Sequence, residues 1–192
     1  MNLKIKGISI SVSFSSIALF TLILISNFAT NYLLCFIAIL LHEFSHIVAM
    51  IVFKCRIIAV DITAFDVKII ENQRALLPVW QDIIISLAGP LGNILAFVLF
   101  IWINKTFAYI NLFLGLFNLL PCISLDGGQS LYLILSKKLS NQVAKKIIEV
   151  LTVITMFPTF VMGIIVLFKS TYNFSLLFLS LYLLLLLLTK KI

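Results

Sequence analysis

The sequence predicts an all-α polytopic membrane protein of about six transmembrane helices. The fourth of these is expected to be broken, and a small β-hairpin-like segment is expected between the second and third. Three observations predict this class. Hydrophobic residues make up 62% of the 192-residue chain and charged ones 11%, and the mean hydropathy of +1.21 is far above that of a soluble domain. Those apolar residues are gathered into blocks at 8–28, 32–53, 82–104, 106–121, 147–168 and 172–189. A helix of about 20 residues spans roughly 30 Å, the thickness of the hydrocarbon layer. Finally, the breaks between blocks carry most of the charge.

The first block follows Lys4 and Lys6, as a signal peptide would, but no small-residue cleavage site precedes Tyr32. It is therefore expected to stay as a helix. The alternation Ile8-Ser9-Ile10-Ser11-Val12-Ser13 also allows a short strand at the membrane surface ahead of it. Between blocks two and three, Ile57, Ile58, Val60 and Ile62, then Val67 and Ile69, alternate around a turn near Ala64-Phe65-Asp66. This gives the hairpin-like segment. Its strand edge is expected either to pair with an unwound substrate or to serve only as an interfacial connector. The fourth block ends at Pro121, which lacks an N–H and crowds the preceding turn, so its helix should break there. Asp82 and Glu149 are expected at helix beginnings, where negative charge suits the dipole. The whole chain, residues 1–192, reads as a single membrane-embedded domain.

Charge orients the helices. With six spans, Lys4, Lys6, Lys54, Arg56, Lys68, Arg74, Lys137, Lys138, Lys145, Lys146, Lys190 and Lys191 share one side, against Lys105 and Lys169 on the other. That asymmetry places both termini in the cytoplasm. The net charge of +7 thus reflects topology and contact with anionic lipid. The basic residues form no patch and are not interleaved with aromatics, which excludes nucleic acid as a partner. Three cysteines without C-x-x-C spacing, Cys35, Cys55 and Cys122, exclude a disulfide framework.

The chemistry sits in the second block. His42-Glu43-Phe44-Ser45-His46 holds both histidines of the chain. A central charge in such a segment costs at least ~2.5 kcal/mol, so a purely structural role is a poor explanation. On a helix His42 and His46 share one face and can grip one metal ion, with Glu43 beside them as a base. The pattern H-E-x-x-H is the zinc metalloprotease signature. A catalytic zinc takes three protein ligands and one open position. No third histidine exists, and most of the seven acidic residues fall in loops or at helix beginnings. Asp126, in Leu125-Asp126-Gly127-Gly128, is the carboxylate best placed to be the third ligand. Gly127 and Gly128 allow the chain to turn and other groups to approach the backbone. The alternative is a plain turn with Asp126 solvated at the membrane edge. Cys122 stands as an outside candidate for the metal. Asn118 is a candidate oxyanion donor, or else an interhelical hydrogen-bonding residue. Gly89, Gly92 and Asn93 read as helix packing.

These residues resemble the site-2 protease family of intramembrane zinc metalloproteases. The likeness joins His42-Glu43-Phe44-Ser45-His46 to Ala88-Gly89-Pro90-Leu91-Gly92-Asn93 and to the N-x-x-P-x-x-x-x-D-G pattern from Asn118 to Gly127. Within the family, the stretch around Asn118, Pro121 and Asp126 is most similar to its sporulation proteases. The resemblance implies zinc held by His42, His46 and Asp126, with Glu43 catalytic. It implies hydrolysis of a membrane-associated protein near the cytoplasmic side, with a pro-sigma factor as the leading substrate. An anti-sigma factor, a signal-peptide remnant or a small peptide would keep the same chemistry. A non-proteolytic metal-binding membrane protein is the reading of a different class. The implied partners are the substrate, the lipid bilayer and membrane-protein inhibitors. Three departures stand out. Ser124 replaces a second proline, and Ala64-Phe65-Asp66-Val67 replaces a Pro-Phe-Gly-Gly-like turn. The sequence also reaches Lys190-Lys191-Ile192 without a nucleotide-sensing or PDZ-like domain.

Overall fold

The computed structural model describes residues 2–5, 8–12, 29–55, 57–62, 67–71 and 77–169. Of the first block, expected as a helix over 8–28, residues 8–12 form the short strand that their alternation allowed, and 13–28 lie outside the described residues, as do the turn at 63–66 and the sixth block at 172–189. What is described is mostly helical. Five helices, α1 (Ala29–Val52), α2 (Val79–Phe100), α3 (Lys105–Asn118), α4 (Asp126–Ser136) and α5 (Asn141–Lys169), accompany four short strands. Contacts divide the chain into two compact units, Met1–Leu116 and Phe117–Ile192.

In the first unit, β1 (Asn2–Ile5), β2 (Ile8–Val12), β3 (Ile57–Ile62) and β4 (Val67–Glu71) form one sheet in the order β1-β2-β3-β4. The outer pairs are antiparallel. The central pair is parallel, with Ser9 opposite Ala59 and Val12 opposite Ile62. Alternating β-branched residues in β2 and β3 suit a pleated surface.

Helices α1 and α2 are each long and apolar enough to cross a membrane, and α1 is built inside out. Its buried positions are Ala38, His42, His46 and Met50, a stripe at four-residue spacing. Its exposed face is Tyr32, Leu33, Ile37, Leu40, Phe44, Val48 and Ile51. The polar side chains therefore turn toward protein and the large apolar ones away from it, the pattern that suits lipid as solvent. The helix stops at Lys54, in left-handed backbone (φ 58°).

Helix α2 meets that stripe with small or polar residues. Ile85, Ser86, Gly89, Pro90, Asn93 and Ala96 are buried, whereas Leu91, Leu95, Val98 and Leu99 face outward. Small residues let membrane helices approach closely. At Gly92 a Cβ would come 2.0 Å from Ser45 Oγ, so the approach leaves no room for a side chain. Asp82 lies in the first turn of α2, where the dipole favours it. In α3, Asn104 caps the helix by accepting from the Phe107 N–H at 3.0 Å. Its inward face is Phe107, Ala108, Asn111 and Gly115, and Gly115 lies against the Pro90 carbonyl and the Asn93 side chain.

The break expected at Pro121 is present, since α3 ends at Asn118, and the second unit differs from the sequence reading in two places. Asp126-Gly127-Gly128 opens α4 instead of forming a turn. Helix α5 starts at Asn141, so Glu149 lies inside the helix and does not mark its beginning. The loop 119–125 is as apolar as the helix before it, and the start of α5 is polar, so a hydropathy profile marks neither boundary. The glycines serve close packing of the loop on α4. A Cβ at Gly127 would stand 2.2 Å from the Leu119 carbonyl oxygen, and one at Gly128 would stand 1.9 Å from that of Cys122. The same loop is tied to α5. The Thr152 hydroxyl accepts from the Ile123 N–H at 3.0 Å and donates to the Ile148 carbonyl at 2.7 Å. Gly128→Ala should therefore destabilise the protein by about 1–3 kcal/mol, the cost of overpacking. Denaturant unfolding in detergent would measure this, and an unchanged midpoint would show that the loop can simply shift.

Candidate metal centre

The centre is built from side chains of α1 held by α2 and α3. His42 and His46 are 6% and 8% exposed, and their Nε2 atoms lie 3.2 Å apart. Each ring is fixed from behind through Nδ1. His46 Nδ1 contacts the Ile85 carbonyl oxygen at 2.7 Å. A carbonyl only accepts, so the imidazole must donate and its Nε2 carries a lone pair. His42 Nδ1 contacts Asn93 Oδ1. The orientation of that amide is set by its other end, since Asn93 Nδ2 donates to the Ala38 carbonyl at 3.2 Å and to Asn111 Oδ1 at 2.8 Å. His42 must therefore donate as well.

Both Nε2 atoms are therefore acceptors, 3.2 Å apart in a buried place, a pairing that a shared cation would hold together. The spacing suits zinc: 3.2 Å is the edge of a tetrahedron whose centre is about 2.0 Å from each corner, the usual zinc–imidazole bond length. Metal-bound histidines characteristically donate their other N–H to a carbonyl or carboxamide-like oxygen, which fixes the tautomer. The residues present fit a zinc ion.

Gly89 shapes the same space. A Cβ there would stand 2.3 Å from His46 Nε2 and 2.6 Å from His42 Nε2. Only glycine leaves the two nitrogens free to point at a common ligand. Ser45, between the histidines, turns away and donates to the Leu41 carbonyl at 2.8 Å.

The other expected residues are placed as follows. Glu43 follows His42 on α1, half-buried and engaged in an interaction of its own. Asp126 is the first residue of α4, after an extended Leu125 (φ −109°, ψ 160°), so its carboxylate starts a helix whose dipole favours the anion. Asn118 closes α3. Cys122 is 1% exposed, with Sγ 3.0 Å from Thr155 Oγ1, and it is no part of the metal-capable group among the described residues. Its thiol belongs to the packing against Met156, Phe117, Leu120 and Leu125. Ser124, at the position of the expected second proline, has a buried Oγ without a hydrogen-bond partner among the described residues.

Sequence reasoning missed Gly89, Asn93 and Asn111 as parts of the centre. The available signal was Asn93 itself, a fully polar side chain in the middle of an apolar block. Its amide is wholly buried, which demands partners.

Comparison with known proteins agrees with this geometry. The model of peptidase family M50 matches residues 103–162. Stage IV sporulation protein FB of Bacillus subtilis (strain 168) is 31% identical over 126 residues, covering 60% of this chain and 44% of that protein. The chain thus spans less than half the length of this curated relative. The site-2 protease from Methanocaldococcus jannaschii matches with a TM-score of 0.72 at 22% identity, covering 100% of this chain and 95% of that one. At that identity the likeness establishes the fold. The family model, the relative and the fold together support the site-2 protease family for this chain.

Proposed function

We propose that this protein is an intramembrane zinc metalloprotease that hydrolyses a peptide bond of a membrane-associated protein near the cytoplasmic side. The single observation that carries the reading is the pair of Nε2 lone pairs 3.2 Å apart, each aimed by a buried Nδ1–H donation. His42, His46 and Asp126 are proposed as the three ligands, the histidines on their shared geometry and Asp126 on the family-like stretch from Asn118 to Gly127. When bound there, zinc supplies Lewis-acid chemistry, activating a water molecule near neutral pH and polarising the scissile carbonyl.

The side chains have separate tasks. The two imidazoles keep their lone pairs directed at the ion, and the Asp126 carboxylate lowers the net charge of the site. Glu43 accepts the proton of the attacking water and hands it to the leaving amine, as a general base and then acid. Asn118 is proposed to donate to the oxygen on which negative charge develops. An unwound substrate segment is proposed to add to β4, one of the two edge strands of the sheet. The likeness to a sporulation protein supports a role in sporulation, with a pro-sigma factor as substrate. Six spans with both termini in the cytoplasm remain part of the proposal, supported by the asymmetry of the basic residues.

The test combines metal analysis with cleavage. Purified protein should carry about one zinc per chain, as expected for a mononuclear site, and should cleave a co-expressed pro-sigma substrate. Asp126→Ala should lower both zinc content and cleavage. Full zinc retention in that variant would remove Asp126 from the ligand set, and absence of zinc from the unaltered protein would overturn the reading.

A further inference from the structure

The buried amides behind His42 do more than fill space between helices. Asn93 and Asn111 are both 0% exposed and lie on different helices, α2 and α3. Their hydrogen bonds run in one direction. Asn111 Nδ2 donates to the Phe107 carbonyl at 2.8 Å. Its Oδ1 is thereby left to accept from Asn93 Nδ2 at 2.8 Å. Asn93 also donates to the Ala38 carbonyl at 3.2 Å, which leaves its own Oδ1 to accept from His42 Nδ1.

The opposite direction is chemically available to the histidines alone. His42 could carry its proton on Nε2 and donate to His46 Nε2, a contact of suitable length at 3.2 Å. That internal hydrogen bond would close the pair against any cation. It would require Asn93 to turn its Nδ2 toward His42, placing its Oδ1 against the Ala38 carbonyl and against Asn111 Oδ1. Asn111 could relieve the second conflict only by turning as well, setting its Oδ1 against the Phe107 carbonyl. Each turn puts acceptor against acceptor in a buried place, where an unpaired polar group costs most.

We infer that Asn111 is a positioning residue for the metal centre. Through Asn93 it holds His42 in the Nδ1–H form, so that the two histidines are kept from hydrogen-bonding each other and stay open to a metal ion. The two backbone carbonyls, of Phe107 and Ala38, fix the direction because they can only accept. His46 needs no such relay, since its Nδ1 meets the Ile85 carbonyl directly. The dependence on Asn111 is therefore specific to one of the two rings. This inference rests on His42 being a metal ligand, but the state of its ring can be read without metal.

The experiment uses the whole chain in detergent, labelled with nitrogen-15 in histidine and stripped of metal, at alkaline pH. Nitrogen chemical shifts distinguish the two tautomers. In the unaltered protein both histidines should show the Nδ1–H form. In Asn111→Leu, His42 should move toward the Nε2–H form while His46 stays unchanged, and zinc affinity should fall about tenfold, the lower end for loss of an outer partner of a metal ligand. Asn111→Thr should restore part of both signals. A threonine hydroxyl can donate to the carbonyl four residues back and still accept, as Thr152 does in this chain. A His42 ring unmoved in folded Asn111→Leu would overturn the inference, as would an Nε2–H form of His42 in the unaltered protein, which needs no variant to fold. If the tautomers behave as stated but the unaltered protein binds no zinc, the relay stands and the metalloprotease reading fails.

Discussion

Gly89→Ala should abolish zinc binding and proteolysis together while leaving the fold intact. The added Cβ would stand within 2.3 Å of His46 Nε2 and 2.6 Å of His42 Nε2. Both rings must then leave the position in which their lone pairs converge, and each gives up its Nδ1 anchor, Asn93 Oδ1 or the Ile85 carbonyl, in doing so. Loss of outer partners alone lowers metal affinity 10–100-fold, and displacement of the nitrogens themselves should exceed the upper end, on the order of 100-fold or more. The helix has no reason to suffer. Alanine favours a helix interior by up to about 1 kcal/mol over glycine, and the atoms displaced are the mobile ends of side chains. Elemental analysis should find metal near background, with a helical circular dichroism spectrum like that of the unaltered protein. Normal zinc content in Gly89→Ala would mean that the nitrogens do not converge over Gly89.

Glu43→Gln separates metal binding from catalysis. Glutamine matches the size of glutamate and can accept a hydrogen bond, but it cannot take up a proton at neutral pH. Glu43 is adjacent to His42 in a rigid helix and is not one of the three proposed ligands. The variant should keep its zinc and its fold, and cleavage should fall by about 10²–10⁴-fold, the usual contribution of a positioned general base. The measurement is zinc per chain alongside the initial rate on the same substrate. Undiminished cleavage would refute the assignment of the base. Loss of zinc in proportion to activity would recast Glu43 as a residue of the metal shell.

Much of this was legible in the chain because membrane proteins write their chemistry in contrast. His42, Glu43 and His46 stand out of an apolar helix, and four-residue spacing puts the histidines on one face whatever surrounds them. The long apolar helices α1 and α2 were equally plain, since length and hydropathy suffice to read them. Boundaries were less so. Helix α5 begins six residues ahead of the block that predicted it, over Asn141 to Lys146, because polar residues that form good helix lie outside a hydropathy block. The helical start at Asp126 was hidden for a related reason. Two glycines read as a turn, whereas here they are the price of close contact with the Leu119 and Cys122 carbonyls.

By itself the sequence determined the apolar, membrane-type helices, the face of α1 that carries both histidines and the residue proposed as base, because each follows from composition or from the repeat of a single helix. Tertiary structure alone decided which nitrogen of each histidine carries the proton. That depends on the Ile85 carbonyl and on the buried amides of Asn93 and Asn111, 39, 51 and 69 residues distant from the rings they serve (His46 for Ile85, His42 for both amides). Local periodicity does not encode which partner meets a ring across an interface between helices, and it is that partner which places the proton.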